Sequence, residues 1–214
     1  ASLAEQLRPA LPELRQIVHF GEAATPAGMH GYETLIAGAA AIPDAGRRGN
    51  DLAAIFYTGG TTGRSKGVML SHANVLANAQ NTYPGAETDS ETRYIHAAPM
   101  FHIADGAMTF LVTAYGGSHY FLPRFDPVSM MKMVQDDRIT HALIVPTMVN
   151  MLVHHPEVGS YDLSSWKRIL YGASPMPEAV IRRAMQVLKN TTFVQAYGQS
   201  EASPVMTLLP HRYH

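Results

Sequence analysis

The stretch Tyr57-Thr58-Gly59-Gly60-Thr61-Thr62-Gly63-Arg64-Ser65-Lys66-Gly67 decides how the rest of the chain is read. Its four glycines permit close backbone approach and positive φ, its three threonines and one serine supply hydroxyls, and Lys66 supplies charge. That composition suits a polyphosphate. It is not a Walker loop, which needs Gly directly before the Lys and a helix directly after; here Ser65 precedes Lys66 and a strand-like run follows. Taken alone, the same residues would also make a Gly/Thr hairpin loop with a solvated lysine.

Outward from this loop, short apolar runs alternate with helical stretches, the pattern of an α/β fold with sheets covered by helices. Ala53 to Thr58 and Gly67 to Leu70 read as strands on either side of the loop, and Ser71 as the N-cap of a helix through Ala79. Arg93 to Ala98, His119 to Leu122, His141 to Val145 and Arg168 to Tyr171 read as further strands, with Phe193 to Tyr197 as the closing one. Helices are expected from Gly106 to Tyr115, from Asp126-Pro127 to about Arg138, from Pro146 to His154, and onward from Pro177. In the last of these Val180, Ile181, Ala184, Val187 and Leu188 form an apolar stripe at helical spacing. Gly38 to Asn50 is a Gly/Ala/Pro-rich surface connection.

Composition narrows the function classes. With 46% hydrophobic and 15% charged residues over 214 positions, the chain is an ordinary globular domain with a sizeable core. Lys and Arg total 16 against 17 Asp and Glu, so it lacks the basic excess of a phosphate-backbone binder, and nucleic acid is not an expected partner. No apolar run approaches the roughly 20 residues that span a bilayer. The first residues lack the basic and apolar segments of a secretion signal, and there is no cysteine, which together point to the cytoplasm while leaving peripheral membrane contact open. The histidines outside the motif below, the His154-His155 pair included, lack metal-site spacing and read as surface or core. The 12 methionines read as adaptable core filling.

Four motifs together resemble the adenylate-forming superfamily of acyl-CoA synthetases and luciferase-like AMP-binding enzymes, and among these the fatty-acid-CoA ligases. Tyr57 to Val68 looks like the signature Y-T-S-G-T-T-G-x-P-K-G-V, with Gly59 where Ser is usual and Ser65 where Pro is usual. Gln195-Ala196-Tyr197-Gly198-Gln199-Ser200-Glu201 is similar to the Y-G-x-T-E element, Ser200 keeping the hydroxyl of Thr. Tyr171-Gly172-Ala173-Ser174-Pro175 is similar to the G-A-x-P turn, and Pro99-Met100-Phe101-His102 to the P-x-F-H segment of acyl- and aryl-activating members.

The resemblance implies roles. Thr58, Gly59, Gly60, Thr61, Thr62, Gly63 and Lys66 would hold the β- and γ-phosphates of ATP. Gly172, Ala173, Ser174 and Pro175 would border adenine and the acyl group. Tyr197 would pack beside the base, Gln195 would offer it an amide, Ala196, Gly198 and Gln199 would complete the wall, and Ser200 would touch phosphate. Glu201 would ligate Mg²⁺, and His102 would orient the substrate carboxylate. Lys66, His102 and Glu201 are thus the expected catalytic residues. The expected activity joins a carboxylic acid, most simply a fatty acid, to coenzyme A through an acyl-adenylate. Aryl-CoA ligase, fatty acyl-AMP ligase and a non-catalytic nucleotide-binding module are the alternatives. Later motifs of the family are not found before His214, so residues 1–214 are read as a partial N-terminal AMP-binding domain without the C-terminal lid.

Overall fold

The structure, a computed structural model, describes residues 3–59 and 63–214; Gly60, Thr61 and Thr62 of the Gly/Thr loop lie outside the described residues. Two compact units divide at Gly46 and Arg47. In the first, helix α1 (Leu3–Leu7) is followed by a parallel pair of two-residue strands, β1 (Val18–His19) and β2 (His30–Gly31), and by helix α2 (Tyr32–Ala37). Phe20 and Tyr32 meet edge-on there, with ring centroids 5.3 Å apart.

The second unit opens with the hairpin expected around the loop. Strands β3 (Leu52–Thr58) and β4 (Lys66–Ser71) pair antiparallel, with Thr58 opposite Lys66 at the loop end. Helix α3 (His72–Ala86) follows at once. Its start was legible: the Ser71 hydroxyl accepts from the Asn74 N–H while the Asn74 side chain accepts from the Ser71 N–H, so two orphan donors are satisfied reciprocally. Its end was not, because α3 continues two turns beyond Ala79 and passes through Pro84. Tertiary packing carries it: Thr82, Gly85 and Ala86 are buried, and a Cβ on Gly85 would come within 2.5 Å of Leu208 Cδ1.

The rest of this unit is a six-stranded sheet. Its strands are β5 (Arg93–His96), β6 (Ser118–Phe121), β7 (His141–Ile144), β8 (Arg168–Gly172), β9 (Thr192–Gly198) and β10 (Val205–Leu209), in the order β10-β9-β8-β7-β5-β6. Neighbours are parallel throughout except β10, which runs antiparallel to β9. The sequence reading ended the sheet at β9; β10 is the correction. As an edge strand with mixed exposure it has neither a buried run nor a clean period of two to announce it.

Helices α4 (Ile103–Ala114), α5 (Pro127–Asp136), α6 (Pro146–Val153) and α7 (Glu178–Val187) make the connections. Asp126 caps α5, its carboxylate accepting from the Ser129 N–H and lying below the usual range for that reason. Alternation along the strands divides the core. Tyr94, Leu143, Leu170 and Val194 pack with Met108, Leu111 and Val112 of α4. Ile95, Ala142, Ile144, Ile169 and Phe193 pack on the opposite face with Met130, Val149 and Ala184 of α5, α6 and α7. Both faces are therefore covered, as parallel sheets require, each fully buried aliphatic or aromatic side chain contributing about 1.5–3 kcal/mol. The strand order reverses between β5 and β7, since α4 leads outward to β6 and α5 returns across the other face. In open α/β sheets ligands bind outside the carboxyl ends of strands at such a reversal. Among the described residues no helix is long and apolar enough to cross a membrane.

Candidate active site

A cleft of about 470 Å³ lies at the carboxyl ends of β8 and β9, against the loop end of the β3–β4 hairpin and the first turn of α4. Thr58, Gly59, Lys66, His102, Gly172, Ala173, Ala196, Tyr197, Gly198, Gln199, Ser200 and Glu201 all line it. Segments up to 143 positions apart, from Thr58 to Glu201, thus meet at one place. Its size fits a ligand of nucleotide dimensions. Gly63, Ser174, Pro175 and Gln195 lie outside the lining. Gln195 shares strand parity with Phe193, which belongs to the α7 side of the sheet.

Local chemistry explains each wall. Gly63 has φ +88°, so the glycine is needed for the loop's path, whereas a Cβ at Gly59 would meet nothing within 4 Å. Space for the serine usual at position 59 is therefore present, and its loss removes a hydroxyl without straining the loop. Lys66 is exposed. Tyr197 is 62% exposed, leaving a ring face for a planar ligand.

Gly172 is required for a different reason. A Cβ there would stand 2.1 Å from the Ala196 carbonyl oxygen, so only glycine lets β8 and β9 stay paired at their carboxyl ends. Ala173, next along, holds φ +65°, a left-handed conformation that costs a non-glycine residue about 1–2 kcal/mol and collects at ligand sites. Gly172→Ala is expected to lower stability by about 1–3 kcal/mol and to weaken nucleotide binding more than tenfold. Urea denaturation beside calorimetric titration with ATP checks both.

His102 occupies the N-cap of α4, which begins three residues earlier than the sequence reading had it. Its Nδ1 accepts from the Ala104 N–H at 3.2 Å, and its carbonyl accepts the first helical bond from Gly106 at 3.0 Å. With Nδ1 used as an acceptor, a neutral ring carries its proton on Nε2, a donor for a carboxylate oxygen in the cleft. Gly106 permits this turn to seat, since a Cβ would lie 2.6 Å from the Met100 carbonyl oxygen.

Glu201 is exposed and is the only carboxylate among the described lining residues. No cluster of three or more His, Asp or Glu side chains could hold a metal among the described residues. A lone exposed carboxylate is the kind of hard oxygen ligand that Mg²⁺ takes. Ile103, Ala104, Leu143, Pro204 and Val205 also line the cleft and were not singled out from sequence. Leu143 is a mid-strand residue whose neighbours emerge only once β5 and β7 are known to be adjacent.

The profile of the family described as AMP-binding enzyme matches residues 2–214. A feruloyl-CoA synthase of Amycolatopsis sp is 37% identical over 161 residues, which is 75% of this chain and 32% of that protein. A long-chain-fatty-acid–CoA ligase of Bacillus subtilis is 36% identical over 165 residues, 73% of this chain and 28% of that protein. The inhibitor-bound N-terminal domain of FACL13 from Mycobacterium tuberculosis superposes with a TM-score of 0.78 at 27% identity, covering 96% of this chain and 52% of that one. The chain spans about a third of the length of the two curated relatives.

Proposed function

The chain belongs to the AMP-binding enzyme family, and from that premise we propose that it forms the nucleotide- and acid-binding face of an enzyme that activates a carboxylic acid with ATP and transfers the acyl group to coenzyme A. The observation that carries this reading is the convergence of Lys66, His102, Tyr197 and Glu201 on one cleft at the carboxyl ends of the strands. In the first half-reaction a carboxylate oxygen attacks the α-phosphorus of ATP, the bond to the bridging oxygen breaks, and pyrophosphate leaves with the acyl-adenylate left behind. The thiol sulfur of coenzyme A then bonds to the acyl carbon, AMP departs, and the thiol proton is released.

The protein's part is to hold two mutually repelling anions in line and to neutralise them. Thr58 and Lys66 meet the β- and γ-phosphates, with Thr61 and Thr62 assigned the same role by the loop motif. Ser200 supplies a hydroxyl to phosphate, and Tyr197 stacks beside adenine. The Nε2–H of His102 orients the carboxylate. Bound at Glu201 and the phosphates, Mg²⁺ would supply charge neutralisation.

The acid has an apolar body on this reading, because Ile103, Ala104, Leu143 and Ala173 line the same cleft as His102. Among the described lining residues the one carboxylate that could pair a substrate ammonium is Glu201, which this reading assigns to Mg²⁺. Asp105, the carboxylate nearest that wall in sequence, is fully buried and committed to Tyr94 and His96. A fatty acid is the substrate class proposed. ATP–pyrophosphate exchange across a panel of fatty, aromatic and amino acids, in a protein that carries this chain, is expected to be supported by fatty acids and not by amino acids. Exchange with amino acids alone would overturn the substrate class, and exchange with none would leave nucleotide binding without catalysis.

A further inference from the structure

Behind the cleft wall lies a polar chain, buried at Tyr94, His96 and Asp105 and reaching the surface at Thr113, that the reaction as described does not use. Asp105, the third residue of α4, is 0% exposed and accepts from two neighbours on β5: the Tyr94 hydroxyl at 2.6 Å through Oδ1, and the His96 Nδ1 at 3.0 Å through Oδ2. His96 Nε2 lies 2.9 Å from His119 Nδ1 on β6, and His119 Nε2 lies 3.0 Å from the Thr113 hydroxyl on α4. The Tyr94 hydroxyl in turn accepts from the Leu143 N–H of β7 at 3.1 Å.

One proton arrangement satisfies every member. Thr113 donates to His119 Nε2, His119 Nδ1–H donates to His96 Nε2, and His96 Nδ1–H donates to the carboxylate, so that all bonds point toward Asp105. Burial, with His96 beside it, holds the His119 imidazole below its usual range against the opposing pull of Asp105, and burial together with Asp105 pushes the Tyr94 hydroxyl well above its usual range, which keeps it a donor. Taking a carboxylate out of water costs several kcal/mol, offset here by two donors and the N-terminal end of α4. A Leu or Met packed at position 105 would hold α4 on the sheet without that cost. What the polar pair adds is direction: it fixes the first turn of α4 to β5 and β7, the two strands that border the reversal.

We infer that Asp105 and His96 are positioning residues for His102, locking the first turn of α4 so that the His102 Nε2–H and the Ile103–Ala104 wall face the acid. The inference rests on the proposed carboxylate activation for its consequence, though not for its geometry. Asp105 reaches His102 through the helix turn they share, since Gly106 N–H and Ala104 N–H, on either side of Asp105, both bond back to His102.

The test compares Asp105→Asn, Tyr94→Phe and His96→Gln, the last retaining a side-chain N–H for Asp105, in a protein that carries this chain. Asp105→Asn is expected to lower kcat for acid-dependent pyrophosphate exchange about 10²-fold while KM for ATP stays within about twofold. His96→Gln, which keeps Asp105 and a donor for it, is expected to lose much less. The inference is overturned if exchange by Asp105→Asn stays at the wild-type level, or if KM for ATP worsens as much as kcat falls. Should Asp105→Asn not fold, Tyr94→Phe, which removes one hydroxyl, is read by the same criteria. Nitrogen NMR of the His102 ring in the chain separates this inference from the functional reading. If no acid supports exchange in the wild type, a changed His102 tautomer ratio and a faster Ala104 amide exchange in the variants still support positioning. Unchanged values for both would reject it.

Discussion

Pyrophosphate exchange in a protein carrying this chain is expected to fall about 10²–10³-fold when Lys66 is replaced by alanine, the cost of removing one donor aimed at developing charge. Lys66 sits opposite Thr58 at the open end of the hairpin and is exposed, so its removal leaves the β3–β4 pairing and the core behind it in place. Loss of exchange with an unchanged unfolding midpoint is therefore the predicted pair of results. Lys66→Arg keeps the charge but replaces a compact ammonium with a planar fork, and is expected to restore exchange only in part. Glu201→Ala should match the loss and in addition raise the magnesium concentration needed for half-maximal exchange. If both variants exchange pyrophosphate at the wild-type rate, the cleft is not where ATP is activated.

The largest structural effect is expected at Trp166, the one tryptophan in the sequence. It is 0% exposed, lies in the α5–α7 face of the core, and its indole Nε1 is buried without a hydrogen-bond partner among the described residues. Truncation to alanine opens a cavity and should cost about 3–5 kcal/mol. Trp166→Phe should cost much less, because removing the orphan N–H returns about 1–3 kcal/mol against the smaller volume lost. Urea unfolding followed by far-ultraviolet circular dichroism reads both as shifts of midpoint at constant slope. Equal costs for the two would mean that Nε1 is satisfied in solution, and a cost for alanine under about 1 kcal/mol would place Trp166 outside the cooperative core.

How much was legible follows from where each element sits. Strands β7 and β8 are covered on both faces, so His141–Ile144 and Arg168–Gly172 stand out as apolar runs and were read within a residue or two of their bounds. The caps at Ser71 and Asp126 were legible because capping is a local contact between residues three apart. The far end of α3 was not, since Pro84 argues locally for a stop that the burial of Gly85 and Ala86 overrides. The start of α4 was missed for a related reason: His102 is an uncommon N-cap, and Gly106 looked like a beginning when it is a close-packing position inside the helix.

The candidate site divides along the same line. Residue chemistry marked the Gly/Thr loop as suited to a polyphosphate, whereas the Tyr197–Glu201 segment, the Gly172–Ala173 turn and His102 were marked by their resemblance to the family's motifs, since each taken alone reads as an ordinary turn, a solvated charge or a structural histidine. That these four segments share one cleft depends on strand order, which places β8 and β9 side by side and turns the β3–β4 hairpin's loop end toward them. The Asp105–His96–His119 chain depends on it wholly. Its members lie on α4, β5 and β6, and nothing in their spacing distinguishes His96 from the other ten histidines. Local pattern and chemistry therefore determined most of the elements, and motif resemblance supplied the expected ligand classes. Tertiary structure alone decided which side chains lost their water together, and that desolvation binds the Asp105 carboxylate to Tyr94 and His96, with His119 leading outward from them.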